Sequence, residues 1–217
     1  MNIKKSYMNI EKKQNKLIII SSPSGAGKTT ICKYLLRKMK NIELSISYTT
    51  RQKRVNEING KDYFFINKNK FIELKNKNYF IESAIVFNNY YGSPFTNILK
   101  SFKKNKNILF DIDWQGAKKL RKNFNNLQII DFFILPPNKK ELKKRLELRG
   151  TNKPDEIKMR LSHAYNEVSH HDEYKHVLIN DNIHKTVNNI IKIINYNFFL
   201  SSINLNVKKK LKTIKKL

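Results

Sequence analysis

Apolar and polar positions in this chain switch between two periods, and the switches outline its elements. Leu17-Ile18-Ile19-Ile20 is a short unbroken apolar run, the pattern of a buried strand. Residues 31–39, beginning Ile31-Cys32, carry apolar positions at helical spacing. Residues 43–49 alternate and predict a second strand. Residues 63–66 and 79–87 predict two more, separated by a short helix near 68–75. Pro94 opens another helix. Beyond it strand and helix take turns. Strands are expected over 107–113 and 127–135, the latter stopped by Pro136-Pro137, with a helix over 114–123 between them. Charged helices follow over 139–148 and 154–168, around a turn at Gly150. A short strand over 177–180 and helical spacing over 183–200 complete the pattern. This rhythm predicts an α/β fold, a parallel sheet flanked by helices. Residues 47–92 interrupt it as an α+β insertion rich in Tyr, Phe and Asn.

The first strand and helix enclose Ser21-Ser22-Pro23-Ser24-Gly25-Ala26-Gly27-Lys28-Thr29-Thr30. Strand, glycine turn and helix are the setting of a phosphate-binding P-loop. Gly25 and Gly27 let successive N–H groups point inward, and the positive helix end faces the same anion. Lys28 reaches the outer phosphates, and the Thr29 hydroxyl is placed to ligate magnesium. The pattern G-x-x-x-x-G-K-[ST] has Ser22 where its first glycine belongs, a small residue that still permits the turn.

A P-loop says only that a nucleoside triphosphate binds; other residues must say what receives the phosphoryl group. Asp111 ends an apolar strand, as a magnesium-positioning acid should. The alternative role, capping the next helix, suits Asp113 better because Trp114 follows it. Arg51 and Arg54 share one polar loop with Tyr63 downstream, a set that suits a monophosphate dianion. Glu82 interrupts an apolar strand. Buried, it demands a partner with two adjacent N–H donors, which one edge of guanine presents and adenine does not. Ser47 is placed to bond the base carbonyl. Such pockets discriminate by about 10⁴-fold. The alternative for Glu82 is a strand residue facing solvent. Arg145 and Arg149 lie four apart on one helix face, with Arg160 on the next helix. A flap bearing them would neutralise charge on a transferring phosphoryl group; otherwise they are solvated helix faces. His163, His170, His171 and His176 have no metal-ligand company.

The chain has 217 residues, 40% apolar and 28% charged, enough for one domain with a full core. Its formal charge of +27 invites a nucleic-acid reading. The lysines are spread over many helices, which favours compositional bias; the field would still attract nucleotides. Cys32 is the sole cysteine, so no internal disulfide forms, in keeping with a reducing cytosol. No apolar run approaches membrane-spanning length, and residues 1–15 lack the apolar middle of a secretory signal.

Ser24-Gly25-Ala26-Gly27-Lys28-Thr29, Ser47-Tyr48-Thr49-Thr50-Arg51-Gln52-Lys53-Arg54, Gly60-Lys61-Asp62-Tyr63-Phe64-Phe65, Asn89-Tyr90-Tyr91-Gly92-Ser93, Asp111-Ile112-Asp113-Trp114-Gln115-Gly116 and Arg145-Leu146-Glu147-Leu148-Arg149-Gly150-Thr151 together resemble guanylate kinase of the bacterial type, in order and spacing, over about residues 16–200. The resemblance implies ATP-dependent phosphorylation of GMP, and of dGMP, with magnesium. It implies a core (16–46, 93–138 and 169–206), a GMP-binding insertion (47–92) and a helical lid (139–168) within a domain over 16–206. Basic segments 1–15 and 207–217 flank it, the second read as a solvated helix end or tail. Carried over by motif, Ser47, Glu82 and Asp113 would read guanine, and Arg51, Arg54, Tyr63, Tyr91 and Ser93 would hold the acceptor phosphate. Ser22, Pro23, Ser24, Gly25, Ala26, Gly27, Lys28, Thr29 and Thr30 would cradle ATP, with Asn180 near adenine. Thr29 and Asp111 would serve magnesium. Lys28, Arg145, Arg149 and Arg160 would carry catalysis. The reading expects a cytoplasmic enzyme with no specific nucleic-acid or membrane partner, and fits a monomer as well as a homo-oligomer. Against a non-catalytic guanylate-kinase-like module stand Lys28 and the lid arginines. A nucleic-acid ATPase and a kinase for another monophosphate are the remaining alternatives.

Overall fold

The computed structural model describes residues 15–124, 128–148 and 154–214. At its centre is β1 (Leu17–Ser21), buried at all five positions. It pairs in parallel with β7 (Asn107–Asp111) on one side and β8 (Ile129–Leu135) on the other. With β2 (Ile42–Leu44) and β9 (His176–Ile179) at the edges, the sheet runs β2-β7-β1-β8-β9, parallel throughout. A strand with helices on both faces needs no polar side, which is why β1 reads as an unbroken apolar run. Leu17 and Ile19 face α3 (Phe95–Lys103) and α4 (Trp114–Asn123), meeting Phe95, Ile98, Phe102, Ala117 and Leu120. Ile18 and Ile20 face α1 (Lys28–Lys38) and the final helix α7 (Ile183–Ile214), meeting Ile31, Leu35, Val187, Ile190 and Ile194.

A second sheet, in the order β4-β3-β6-β5, comes from the residues between β2 and α3. Its strands are β3 (Tyr48–Thr49), β4 (Phe64–Phe65), β5 (Phe80–Val86) and β6 (Asn89–Pro94). Helix α2 (Lys68–Asn76) packs on it through fully buried Phe71, stacked on Phe80 with centroids 4.6 Å apart. The edge strand β5 is covered by α4: Gln115 Nε2, Lys119 Nζ and Asn123 Nδ2, each one turn from the next, donate to the carbonyls of Ile85, Ser83 and Ile81. An otherwise open strand edge is thereby sealed by side chains.

Helices α5 (Lys139–Glu147) and α6 (Pro154–Val168) and a 3-10 turn (His171–Glu173) lead to β9. Among the described residues, no helix is long and apolar enough to cross a membrane.

The structure corrects the sequence reading in four places. The single strand expected over 43–49 is two: β2 belongs to the parallel sheet and β3 to the other. Asn97 Nδ2 bonds the Ser45 hydroxyl and the Ile46 carbonyl, so the crossing backbone is satisfied without a ladder. Residues 89–93, given no element by periodicity, and Pro94, read as a helix start, form β6. Its Gly92 obscured the pattern, yet a Cβ there would lie 2.9 Å from Phe80 and 3.1 Å from Phe71. The strand expected to reach 113 stops at Asp111, because Asp113 turns to cap α4 by accepting from Gly116 N–H at 2.9 Å. Helical structure expected over 183–200 runs on to Ile214, so α7 continues unbroken past residue 207.

Candidate active site

Between β1 and α1 the chain turns through residues 22–27. Gly27 is the α1 N-cap with φ of 100°, and a Cβ there would lie 2.5 Å from Asn180 Nδ2. Only glycine meets both conditions without strain. Asn180 is itself buried and donates from Nδ2 to the Ala26 carbonyl at 2.8 Å, bracing the loop from behind. Lys28 and Thr29 open α1, where free backbone N–H groups and the helix dipole favour an anion. Lys28 Nζ stands 2.6 Å from Asp111 Oδ1, and Thr29 Oγ1 donates to Asp111 Oδ2 at 3.0 Å. Burial alone would lower the Lys28 pKa; Asp111 beside it more than offsets this and holds it above the ordinary lysine value. The ammonium is therefore charged at neutral pH.

Two helices lie over this loop. A Cβ on Gly25 would come within 2.9 Å of Leu142 on α5. Arg145, on the same helix, is held by Glu141 at 2.9 Å and donates to the Asn180 carbonyl at 3.0 Å. From α6, Arg160 donates to Ser24 Oγ at 3.3 Å, and the Glu167 carboxylate accepts from Ser24 N–H at 3.0 Å. The Arg160 Nε is buried without a hydrogen-bond partner among the described residues. A guanidinium with one buried, spare N–H is poised to meet an anion.

The second sheet supplies another polar cluster. Register sets Glu82 on β5 beside Ser93 on β6. Glu82 is 4% exposed, and its Oε2 would lie 2.6 Å from a Cβ on Gly116, so only glycine lets the carboxylate pack on α4. Burial pushes the Glu82 pKa up to about 7; Ser93 hydrogen bonds pull it down and the charge of Asp113 adds to the rise. Ser47 and Ser93 hydroxyls are 2.9 Å apart. Two carboxyls and two hydroxyls thus converge on a buried spot.

Alongside, Glu57 grips Arg51 bidentately at 2.7 and 3.0 Å and accepts from Arg54 N–H at 2.8 Å. The Arg51 guanidinium lies 5.5 Å from the Tyr63 ring centroid, and Tyr63 meets Tyr91 edge-on at 6.1 Å. Burial raises the Tyr63 phenol above its ordinary pKa, Asp111 adds to the rise and Lys28 opposes it. This arginine–tyrosine cluster therefore sits within the field of the P-loop lysine. A contact of 3.6 Å between Lys33 and Asp62 ties α1 to the same loop.

The described candidates gather in two clusters. Ser22, Pro23, Ser24, Gly25, Ala26, Gly27, Lys28, Thr29, Thr30, Asp111, Arg145, Arg160 and Asn180 belong to the loop and its surroundings. Ser47, Arg51, Arg54, Tyr63, Glu82, Tyr91, Ser93 and Asp113 belong to the second sheet and its margin. Arg149 lies outside the described residues. Sequence reasoning gave no role to Glu57, Gly116 or Glu167. A carboxylate three positions from Arg54 signals Glu57 locally; Glu167 and Ser24 are 143 positions apart, and no local pattern joins them. A hydroxyl and a carboxylate oxygen at the loop are hard donors of the kind that would suit a magnesium ion.

The family model for guanylate kinase matches residues 14–197. A guanylate kinase of Rickettsia prowazekii (strain Madrid E) is 43% identical over 183 residues, covering 84% of this chain and 92% of the relative. One of Wolbachia pipientis wMel is 45% identical over 184 residues, covering 85% and 91%. The crystal structure of guanylate kinase from Anaplasma phagocytophilum superposes with a TM-score of 0.71 at 33% identity, covering 86% of this chain and 88% of that one.

Proposed function

The chain belongs to the guanylate kinase family, and from that premise we propose how its two clusters divide the work of ATP-dependent phosphorylation of GMP to GDP. The loop at residues 22–30 is the donor cradle. The second sheet is the acceptor cradle, with Glu82, Asp113 and Ser47 reading guanine and Arg51, Arg54, Tyr63, Tyr91 and Ser93 holding its phosphate. These groups address base and phosphate rather than sugar, which extends the proposal to dGMP. The observation that carries the reading is Glu82, a buried carboxyl among polar groups that a two-donor base edge would satisfy.

In this mechanism α5 and α6 form a lid over residues 139–168, and closure excludes water. Lys28 draws charge from the donor phosphates. Arg145 and Arg160 offset charge developing on the phosphoryl group in flight, with Arg149 assigned the same part by motif. The acceptor phosphate is already an anion, so the transfer uses no general base. Thr29 and Asp111 would hold magnesium, which when bound supplies charge neutralisation at the phosphates. We place the enzyme in the cytosol, where buried Cys32 stays a thiol.

A panel of acceptors with ATP, read as ADP formed, tests this. GMP and dGMP should turn over, and AMP should be slower by about 10⁴-fold. ATP hydrolysis stimulated by RNA or DNA but not by GMP would overturn the reading.

A further inference from the structure

The hairpin between β5 and β6 turns on Phe87 and Asn88, with φ of 47° and 59°. Positive φ at both central positions is the signature of a type I′ turn, which asparagine and glycine accept. Asn88 suits its place. A bulky ring in the left-handed region is strained, and such strain persists only where the surroundings hold it.

What surrounds Phe87 is helix α6. The Arg160 guanidinium lies over its ring, 4.9 Å from the centroid, and the His163 ring meets it edge-on, also at 4.9 Å. Arg160 and His163 stand one helical turn apart on the same face. Arg160 is the side chain that donates to Ser24 Oγ and keeps a buried, unpartnered Nε. A cavity of about 270 Å³, lined by Ile85, Phe87, Asn88, Met159 and His163, adjoins the contact. The acceptor sheet, the lid helix and the P-loop therefore meet through one guanidinium, and Phe87 is the acceptor sheet's side of that meeting.

We propose that Phe87 is a positioning residue whose ring seats the Arg160 guanidinium at the P-loop, so that the acceptor sheet sets the arginine used in phosphoryl transfer. This rests on the role given to Arg160 above. The turn itself would be better served by asparagine, so its strain is kept for the contact across to α6.

The test is Phe87→Asn in the full chain, which relieves the turn and removes the ring. At saturating ATP and GMP, kcat should fall about tenfold, the scale of a partly desolvated cation–π contact. The KM for GMP should stay within about twofold, and Tm should hold or rise because the turn relaxes. Phe87→Tyr should keep wild-type kcat. Added to Arg160→Ala, Phe87→Asn should slow the enzyme no further, as two residues acting through one contact must. Wild-type kcat in Phe87→Asn, a joint loss of kcat and Tm, or a further loss in the Arg160→Ala background would each overturn the proposal. A readout independent of turnover is the Arg160 Nε–H resonance in the ligand-free protein. It should lose its ring-current shift in Phe87→Asn, and an unmoved resonance refutes the seat. An inactive wild type beside a shifted resonance would count against the reaction and leave the seat standing.

Discussion

Glu82 joins a cost of burial to the base-reading role proposed for it. Its carboxyl titrates near 4.5 when exposed and is pushed up to about 7 by burial. Between those values the folded protein keeps a proton that the unfolded chain has lost, so this group's contribution to stability declines as pH rises through the window. Guanine, with two donors, needs the carboxylate. GMP affinity should therefore rise with pH up to about 7 and level off above it, by up to about tenfold per pH unit on the limb. Titration calorimetry of wild type against Glu82→Gln isolates this from the titration of GMP itself. The variant should bind GMP weakly, lose the Glu82 limb and gain stability above pH 7. An identical pH profile in both proteins would remove Glu82 from the base pocket. Glu82 was legible in the sequence as a lone acid in an apolar strand. Its partner Gly116 was not, because a glycine in a helix announces nothing until the opposing carboxylate is in place.

At the scale of elements, the second sheet is not free-standing. The short strands β3 and β4 give it little ladder, and β5 is an edge. The donors Gln115, Lys119 and Asn123 of α4 stand in for a missing strand, taking alternate carbonyls of β5. Asn123→Ala leaves the half-buried Ile81 carbonyl without that donor and should cost about 1–3 kcal/mol. Denaturant unfolding measures this, and hydrogen exchange should show the loss concentrated in β5 and β6. Uniform exchange across both sheets would mean the ladder does not hold the edge. The period-4 spacing of these three residues is visible in the sequence. That they face a strand rather than water is not, since polar residues on a helix read as its solvated face. The split of residues 42–49 between two sheets escaped the alternation for a similar reason. Alternation reports which side of a strand is buried, and not which sheet buries it.

At the scale of the whole molecule the chain has a formal charge of +27, and the proposed reaction takes two polyanions. Long-range steering is screened over about 8 Å at physiological ionic strength. At subsaturating GMP, kcat/KM should fall severalfold as salt rises from about 0.05 to 0.2 M, while kcat holds. Stopped-flow or steady-state assays in an inert salt check this, and a flat kcat/KM would leave the lysines as composition without kinetic effect. The same scale explains why the fold class was readable before any contact was known. Continuous apolar strands alternating with amphipathic helices have few ways to bury both sheet faces, and the parallel α/β sheet is the common one.

What the amino-acid order decided alone was local: the P-loop, the strand and helix periods, the capping role of Asp113 and the candidates for two anion sites. These depend on backbone conformation and spacing within a turn or two, where neighbours in sequence are neighbours in space. Only the tertiary structure decided that Asn180 braces Ala26, that Glu167 and Arg160 grip Ser24, that Glu82 packs on Gly116 and that Phe87 lies under Arg160. Each joins residues tens of positions apart, brought together by packing two sheets and their helices rather than by any pattern along the chain.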